Sequence, residues 1–349
     1  MALNQINMGI IGTGWCGGIR ADSCADNALI DQLHIAEINP ARLEEVAKST
    51  NPVTATTEYQ RIVEHENIDA VIISATPETL HYPMAKECLL AGKHVFLEKP
   101  IALSLEEADE LITIARQKKL KFTIGYSQRF NPKYAYVKKC IEDGTIGEPV
   151  SALVSRHITR SLGKKITGRV KLSPASMEAT HDLDFVLWCL EPARPIRVYA
   201  QAVEKVMIKD VNASDCMWIT VTMDSGVAFV IGAGWILPPG YPNFSTTWIE
   251  MVGSEGALMV DDSHRDVMLN TMNNGIQLPM SSMPGESVGH VFAGSMANET
   301  LHFVDAVARD RPVLVTPEQA RQVMEVYIAA DLSAERNEAV RLPLQEPPA

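Results

Sequence analysis

The sequence lacks most of the features that mark a specialised class of protein. Its six cysteines, Cys16, Cys24, Cys88, Cys140, Cys189 and Cys216, are scattered, with no CxxC pair and no Cys/His ligand spacing. That excludes a structural zinc module and fits a reduced, cytoplasmic compartment; no metal site is expected. No apolar run approaches the ~20 residues needed to cross a bilayer. The opening segment, MALNQINMGIIGTG, has no basic stretch, apolar core and cleavage site of a secretory leader. Positive charge is in deficit, with 31 Lys and Arg against 43 Asp and Glu, a net charge of -12. Neither nucleic acid nor an anionic membrane is therefore an expected partner. Internal repeats and low-complexity tracts are missing too. What remains is a globular chain of 349 residues, 46% of them hydrophobic, enough for two packed domains.

From Ile6 onward, short apolar runs alternate with helical patterns. INMGII and QLHIAEI are expected strands, and Asn39 with Pro40 forms an N-cap and first helical residue for ARLEEVAKS. IDAVIISAT is a buried strand, followed by a helix over HYPMAKECLLAG that Gly92 ends. KHVFLE is the next strand; Ser104 and Glu107 form a capping box opening LEEADELITIARQKK, and KFTIGYS closes the series. This alternation predicts an α/β fold, a doubly wound parallel sheet over residues 1–127. Residues 128–349 read as α+β. There PVSALVSRHIT, IRVYAQAV, DCMWITVTM, VAFVIGAGWI, TTWIEMVG and ALMVDD are strands, with a hairpin turn at Asp224–Gly226. They predict a large, open, mostly antiparallel sheet, a surface that often pairs with another subunit. Helices are expected near 174–190, 296–309 and 317–334, the late helices packing back on the first domain.

The stretch GTGWCG places Gly12, Gly14 and Gly17 in GxGxxG spacing directly after a strand and at the start of a helix. In that setting Gly12, Thr13, Gly14, Trp15, Cys16 and Gly17 form a turn whose backbone approaches a pyrophosphate. Glu37, 25 residues past Gly12, ends the second strand, where an acid binds a ribose 2′-hydroxyl. Ile38 offers no cation to a 2′-phosphate, so NAD is expected in preference to NADP. Ser74, Thr76 and His81, in SATPETLH, lie at the carboxyl end of the following strand, on the ligand-binding edge; taken singly, His81 reads more readily as a first-turn helix residue. In GKHVFLEKP the next strand ends in Glu98, Lys99 and Pro100. Pro100 restricts the backbone of Lys99, and an ammonium beside a nicotinamide stabilises a developing alkoxide. A lone Lys-Pro pair is otherwise a surface turn. His181 and Asp184, in SPASMEATHDLDFVLW, share one helix face. A histidine suits proton abstraction near neutral pH, although a core histidine is the plain alternative.

GTGWCG, GKHVFLEKP, GYSQRFNP and THDLDFVLW, together with EMVGSEGALMVDD and a late AADLSAERN, resemble the Gfo/Idh/MocA oxidoreductase family in order and approximate spacing. The resemblance spans nearly the whole chain. It implies a Rossmann domain followed by an open-faced sheet domain, dimeric or tetrameric through that sheet. It also implies hydride transfer between NAD(P) and a secondary alcohol of a sugar, an inositol or a related cyclic diol. By position, Lys99 matches the lysine that contacts the reacting hydroxyl, His181 matches the proton acceptor, and Asp184 is structural. Many relatives carry an aspartate four residues before that histidine; here it is Met177, with Glu178 beside it. Glu178 is a candidate to replace it, or else pairs with a nearby basic residue.

Candidate substrate contacts are Lys99, His181, Arg129 of GYSQRFNP and Arg156. The last belongs to a basic run, RHITRSLGKKITGRVK, with Arg160, Lys164, Lys165, Arg169 and Lys171. It reads as a connecting loop that would suit an anionic substrate. Two other functions stay open: an enzyme of the same fold using NAD transiently for elimination or glycoside cleavage, and a non-catalytic NAD-binding regulator.

Overall fold

The computed structural model describes residues 5–167, 172–241, 245–261, 269–273, 275–277, 287–289 and 291–344. It divides into two compact units, Met1–Asn131 with Met283–Arg321, and Pro132–Ser282 with Gln322–Ala349.

In the first unit the strands are β1 (Ile6–Ile11), β2 (Ile30–Ala36), β3 (Thr54–Thr56), β4 (Ala70–Ile73), β5 (His94–Glu98) and β6 (Phe122–Gly125). They form one sheet in the order β3-β2-β1-β4-β5-β6, with every pairing parallel. β4 is wholly buried and β1 and β5 nearly so, as expected of strands covered on both faces. The helices are α1 (Trp15–Ala25), α2 (Pro40–Thr50), α3 (Gln60–Glu64), α4 (His81–Leu90) and α5 (Leu105–Gln117). The Asn39 side chain accepts hydrogen bonds from the amides of Ala41 and Arg42, and Ser104 accepts from that of Glu107. Both caps were expected. β3 and α3 were not, being too short to carry a periodic signal. The strand order reverses between β1 and β4, which opens a crevice at the carboxyl ends of the strands.

The second unit contains α6 (Pro132–Glu142), β7 (Pro149–Thr159), α7 (Arg160–Thr167), a π-helical turn (Ala175–Ala179) and α8 (Thr180–Leu190). There follow β8 (Pro195–Val203), α9 (Met207–Val211), β9 (Cys216–Met223), β10 (Ala228–Leu237), β11 (Ser245–Gly253) and β12 (Ala257–Asp261). The sheet order is β12-β11-β7-β10-β9-β8, with Val340–Arg341 beyond β8. The expected sheet is therefore present, but it is mixed, because β7 and β10 pair in parallel. The chain leaves β7 through helices and returns by the β8–β9–β10 meander, which brings β10 in alongside β7 in the same direction. Gly226, at φ +89°, makes the expected turn between β9 and β10. One face of the sheet carries Leu153, Tyr199, Trp218 and Met259, 36–65% exposed.

The described part of the basic run after the expected strand is a helix and not a loop. Arg156 lies within β7, and Arg160–Thr167 forms α7. Gly163 lets that helix close on Trp235, whose Cβ and Cγ would lie 2.5 Å from an added Cβ. Lys164 pairs with Asp210 at 2.7 Å. Arg169 and Lys171 fall outside the described residues.

Two late helices follow, α10 (Ser295–Ala308) and α11 (Pro317–Arg336). α10 belongs to the first unit. Its Phe303, Val304 and Ala308 join Met8, Ile10, Ala21 and Phe96 in one buried apolar cluster, and the Phe303 and Phe96 rings meet edge to face at 5.8 Å.

β2 also carries a fully buried histidine, His34, whose ring nitrogens have no hydrogen-bond partner among the described residues. Its ring lies 4.7 Å from that of His65. The Lys93 ammonium, close by, donates to the carbonyls of His65 (2.7 Å) and Ile68 (3.0 Å). Burial first, then His65 and Lys93, lower the His34 pKa. The unfolded chain takes up this proton near pH ~6.5, while the folded chain resists it. Stability present above that pH is therefore lost as the pH falls. The denaturation midpoint should drop between about pH 7 and about pH 5, and the drop should shrink in His34→Leu. Equal drops in both proteins would exclude His34 as the source.

Candidate active site

The glycine turn leaves β1 with Gly12 at φ +83°, where an added Cβ would fall 2.8 Å from the Ala75 backbone. At Gly17 it would fall 1.9 Å from the Gly12 carbonyl oxygen. Gly14 has nothing within 4 Å, so its backbone is open to a ligand at the start of α1. Thr13 is buried, Cys16 half-buried and Trp15 exposed. Across the crevice the Ser74 hydroxyl is buried with no partner among the described residues. An open cradle of backbone at a helix start and an orphaned hydroxyl beside it fit the pyrophosphate of a dinucleotide.

Glu37, directly after β2, organises this turn. Its Oε2 accepts from the Thr13 amide (2.7 Å) and hydroxyl (3.2 Å), and its Oε1 from the Asn39 amide (2.9 Å). Ile38 is 86% exposed. Arg42, which the sequence reading passed over, donates from Nε to the Thr13 carbonyl at 2.7 Å and from Nη2 to the Gly14 carbonyl at 3.4 Å. It also pairs with Glu45 at 2.8 Å. Its place, one turn into the helix after β2, is the only signal that could have found it.

At the ends of β4 and β5, His81 ties two loops together. Its Nδ1 lies 2.8 Å from the Pro100 carbonyl oxygen and its Nε2 3.1 Å from that of Ala75. Burial lowers its pKa despite those carbonyls. Thr76, on the same edge, is exposed.

Glu98 turns inward. Its Oε1 accepts from both Nε (3.0 Å) and Nη2 of Arg20 on α1. The same guanidinium donates from Nη2 to Glu299 (2.9 Å) and from Nη1 to the Thr300 hydroxyl (2.9 Å), both on α10, and it lies 4.0 Å over the Phe96 ring. Burial opposes the charge on Arg20, but Glu98 and Glu299 more than restore it. Gly125 leaves room for this corner, since an added Cβ would fall 2.9 Å from Glu98 Oε2. Lys99, next to Glu98, is half-buried, and its peptide bond to Pro100 is cis. The Cys16 thiol is pushed up to about 12, chiefly by burial and then by Glu98. Arg129 is 2% exposed and donates to the Leu314 carbonyl (3.2 Å) and Gln319 (2.9 Å).

In the second unit every residue of α8 is buried except His181, which is half-buried. Asp182 and Asp184 are wholly buried. Asp182 accepts from Arg156 Nε at 2.8 Å, and the Glu178 carboxylate accepts from Arg156 Nη1 at 3.2 Å. Arg156 also donates to the Glu178 carbonyl. Burial opposes its charge, and Asp182 and Glu178 restore it. Glu178 is in the π-helical turn, so the face-sharing offset of an α-helix does not apply to it. Met177 packs with Ile158, Met207 and Trp235 in an apolar cluster. Among the described residues, no group of three His, Cys, Asp or Glu is arranged to hold a metal ion.

A six-stranded parallel sheet with this glycine turn and an acid after β2 defines an NAD(P)-binding Rossmann domain. The family model described as the oxidoreductase family's NAD-binding Rossmann fold matches residues 6–126, and that of its C-terminal alpha/beta domain matches residues 138–342. The chain belongs to the Gfo/Idh/MocA family of oxidoreductases. It is 23% identical to the myo-inositol 2-dehydrogenase of Thermotoga maritima, over 97% of this chain and 98% of that protein. It is 25% identical to scyllo-inositol 2-dehydrogenase (NAD(+)) of Bacillus subtilis, over 97% of each. The solved scyllo-inositol dehydrogenase of Lactobacillus casei, with bound NAD(H) and scyllo-inositol, superposes with a TM-score of 0.83 at 23% identity, covering 97% of this chain and 99% of that one.

Proposed function

We propose that the protein is an NAD-dependent dehydrogenase that oxidises a secondary CH–OH of a cyclic polyol, such as an inositol or a sugar. NAD, when bound, accepts the hydride from that carbon. Lys99 holds the substrate oxygen and stabilises the charge that develops on it. His181 takes the hydroxyl proton. The observation that carries this reading is the corner at the end of β5: Glu98 is anchored by Arg20, and Pro100 by His81. The residue between two such anchors is the amine, on the edge that carries the glycine turn. The inositol dehydrogenases among the relatives support the substrate class. An uncharged polyol fits better than an anionic one, because Arg156 lies between two carboxylates and Lys164 is paired with Asp210.

Screening cyclic polyols and sugars with NAD, read as NADH absorbance, tests the activity. Turnover without net NADH would favour transient use of the cofactor; NAD binding without turnover would favour a regulator. Lys99→Met should keep the fold and most NAD affinity while lowering turnover by ~10²-fold or more. Near-normal turnover in that variant returns Lys99 to an ordinary surface lysine.

The preference for NAD over NADP rests on Glu37, which opposes a 2′-phosphate, and on the exposed, uncharged Ile38. Calorimetry with both oxidised cofactors should give NAD the tighter binding by ~10-fold or more; equal affinities sink this assignment.

The sheet face bearing the exposed side chains of Leu153, Tyr199, Trp218 and Met259 is read as the surface that a second copy of the chain covers. Light scattering should report a dimer or tetramer, with Trp218→Asp shifting the mass toward the monomer. A monomeric wild-type protein contradicts it.

A further inference from the structure

Arg42, in the first turn of α2, holds two carbonyls of the glycine turn, those of Thr13 (2.7 Å, from Nε) and Gly14 (3.4 Å, from Nη2). The Thr13–Gly14 and Gly14–Trp15 peptides are trans. In a trans peptide the carbonyl and the N–H of the next residue point in opposite directions. Drawing these two carbonyls toward Arg42 therefore turns the Gly14 and Trp15 amides away from it. Neither amide has an acceptor among the described residues; both stand at the start of α1, where helix geometry leaves N–H groups without intrahelical partners. Thr13 is held at both ends, its amide by Glu37 at 2.7 Å and its carbonyl by Arg42. Gly18, outside the GxGxxG spacing, makes room for the grip, since an added Cβ would fall 2.3 Å from Arg42 Nη2. The Arg42 charge is met by Glu45 at 2.8 Å, so what Arg42 brings to the turn is direction rather than net charge.

We propose that Arg42 is a positioning residue for the pyrophosphate of the dinucleotide, fixing two peptide planes so that the Gly14 and Trp15 amides face the phosphates. This rests on the reading of the chain as an NAD-dependent dehydrogenase and adds to its cofactor site a residue from outside the glycine motif. Anion binding at a helix start depends on N–H groups that already point at the ligand. Amides aligned before the ligand arrives spare the cost of ordering them on binding. Ser74, whose buried hydroxyl lacks a partner among the described residues, flanks the same turn: an added Cβ at Gly17 would fall 3.2 Å from its Cβ. The adenosine end of the ligand meets Glu37 instead and draws nothing from these two amides. A lysine would not replace Arg42, because its single ammonium on a flexible stem lacks the planar fork that meets two carbonyls in fixed directions.

Calorimetric titration with NAD and with ADP-ribose, beside displacement of bound NADH by adenosine, separates the pyrophosphate from the rest of the ligand and needs no substrate. Arg42→Met should weaken NAD and ADP-ribose about tenfold each, while adenosine changes by less than about twofold. Arg42→Lys keeps the charge and loses the fork, and its affinities should stay closer to those of Arg42→Met than to wild type. Gly18→Ala leaves Arg42 in place but crowds its Nη2. It should weaken NAD in the wild-type background and add nothing in the Arg42→Met background. Equal weakening of adenosine in Arg42→Met is the mark of a purely structural role and overturns the proposal. So do unchanged NAD binding in that variant, wild-type affinities in Arg42→Lys, and a Gly18→Ala loss that adds in full to that of Arg42→Met. Wild-type protein that binds neither NAD nor ADP-ribose overturns the NAD-dependent reading itself, a result distinct from these.

Discussion

The first unit turns on the Arg20 guanidinium. It is 1% exposed, and taking such an ion out of water costs several kcal/mol even after relaxation. That cost is offset only because its donors are distributed over Glu98, Glu299 and Thr300 while its face rests on Phe96. Arginine suits this position and lysine would not, since a planar fork reaches partners in several fixed directions at once. The contacts join α1, which opens with the glycine turn, to the end of β5 and to a helix from near the end of the chain. Removing either carboxylate's partner would leave a buried charge uncompensated, at a cost of roughly 3–5 kcal/mol. The cofactor turn and the Glu98-Lys99-Pro100 corner are thereby made parts of one rigid object.

The second unit uses the same device on a smaller scale. Arg156, projecting from the inner face of β7, is held by Asp182 in the first turn of α8 and by Glu178 in the π-helical turn before it. These bonds fix the helix start at a point where the backbone pattern changes. His181 sits between those anchors and is the one residue of α8 that is not fully buried. The apolar side of the same turn is held by Met177 against Trp235 and Met207. An aspartate at position 177 would place a carboxylate in that apolar cluster, which burial disfavours strongly. The methionine is thus explained by its surroundings, and the acid of this region is Glu178, already engaged by Arg156.

What was legible in the sequence was what local chemistry dictates. The glycine turn, the caps at Asn39 and Ser104, and the buried strands β1, β4 and β5 each announce themselves within a few residues. The Arg20 cluster does not, because its partners lie 78 and 279 residues away and its own position looks like any polar helix residue. The expected strand through Arg156 to Thr159 is present, but the basic residues after it read as a loop although Arg160–Thr167 forms α7. The parallel pairing of β7 with β10 depends on the path of the intervening chain, which no local pattern records. Arg42 escaped notice because its role is to grip backbone carbonyls, and those carry no side-chain signature.

A strand that ends in an acid, an amine and a proline makes sense once each residue is taken in turn. Glu98 is an internal anchor: its carboxylate points toward α1 and is gripped by Arg20. Pro100 is the second anchor, restricting the backbone before it and offering its carbonyl oxygen to His81. Lys99 lies between them with its main chain restrained on both sides. A lysine side chain carries about 2 kcal/mol of rotamer entropy, and a free surface lysine loses it each time it is brought to bear on a ligand. Here the backbone that carries the side chain is settled during folding, by the buried Arg20–Glu98 pair and by His81. The backbone from which the ammonium projects therefore depends on Arg20 and His81.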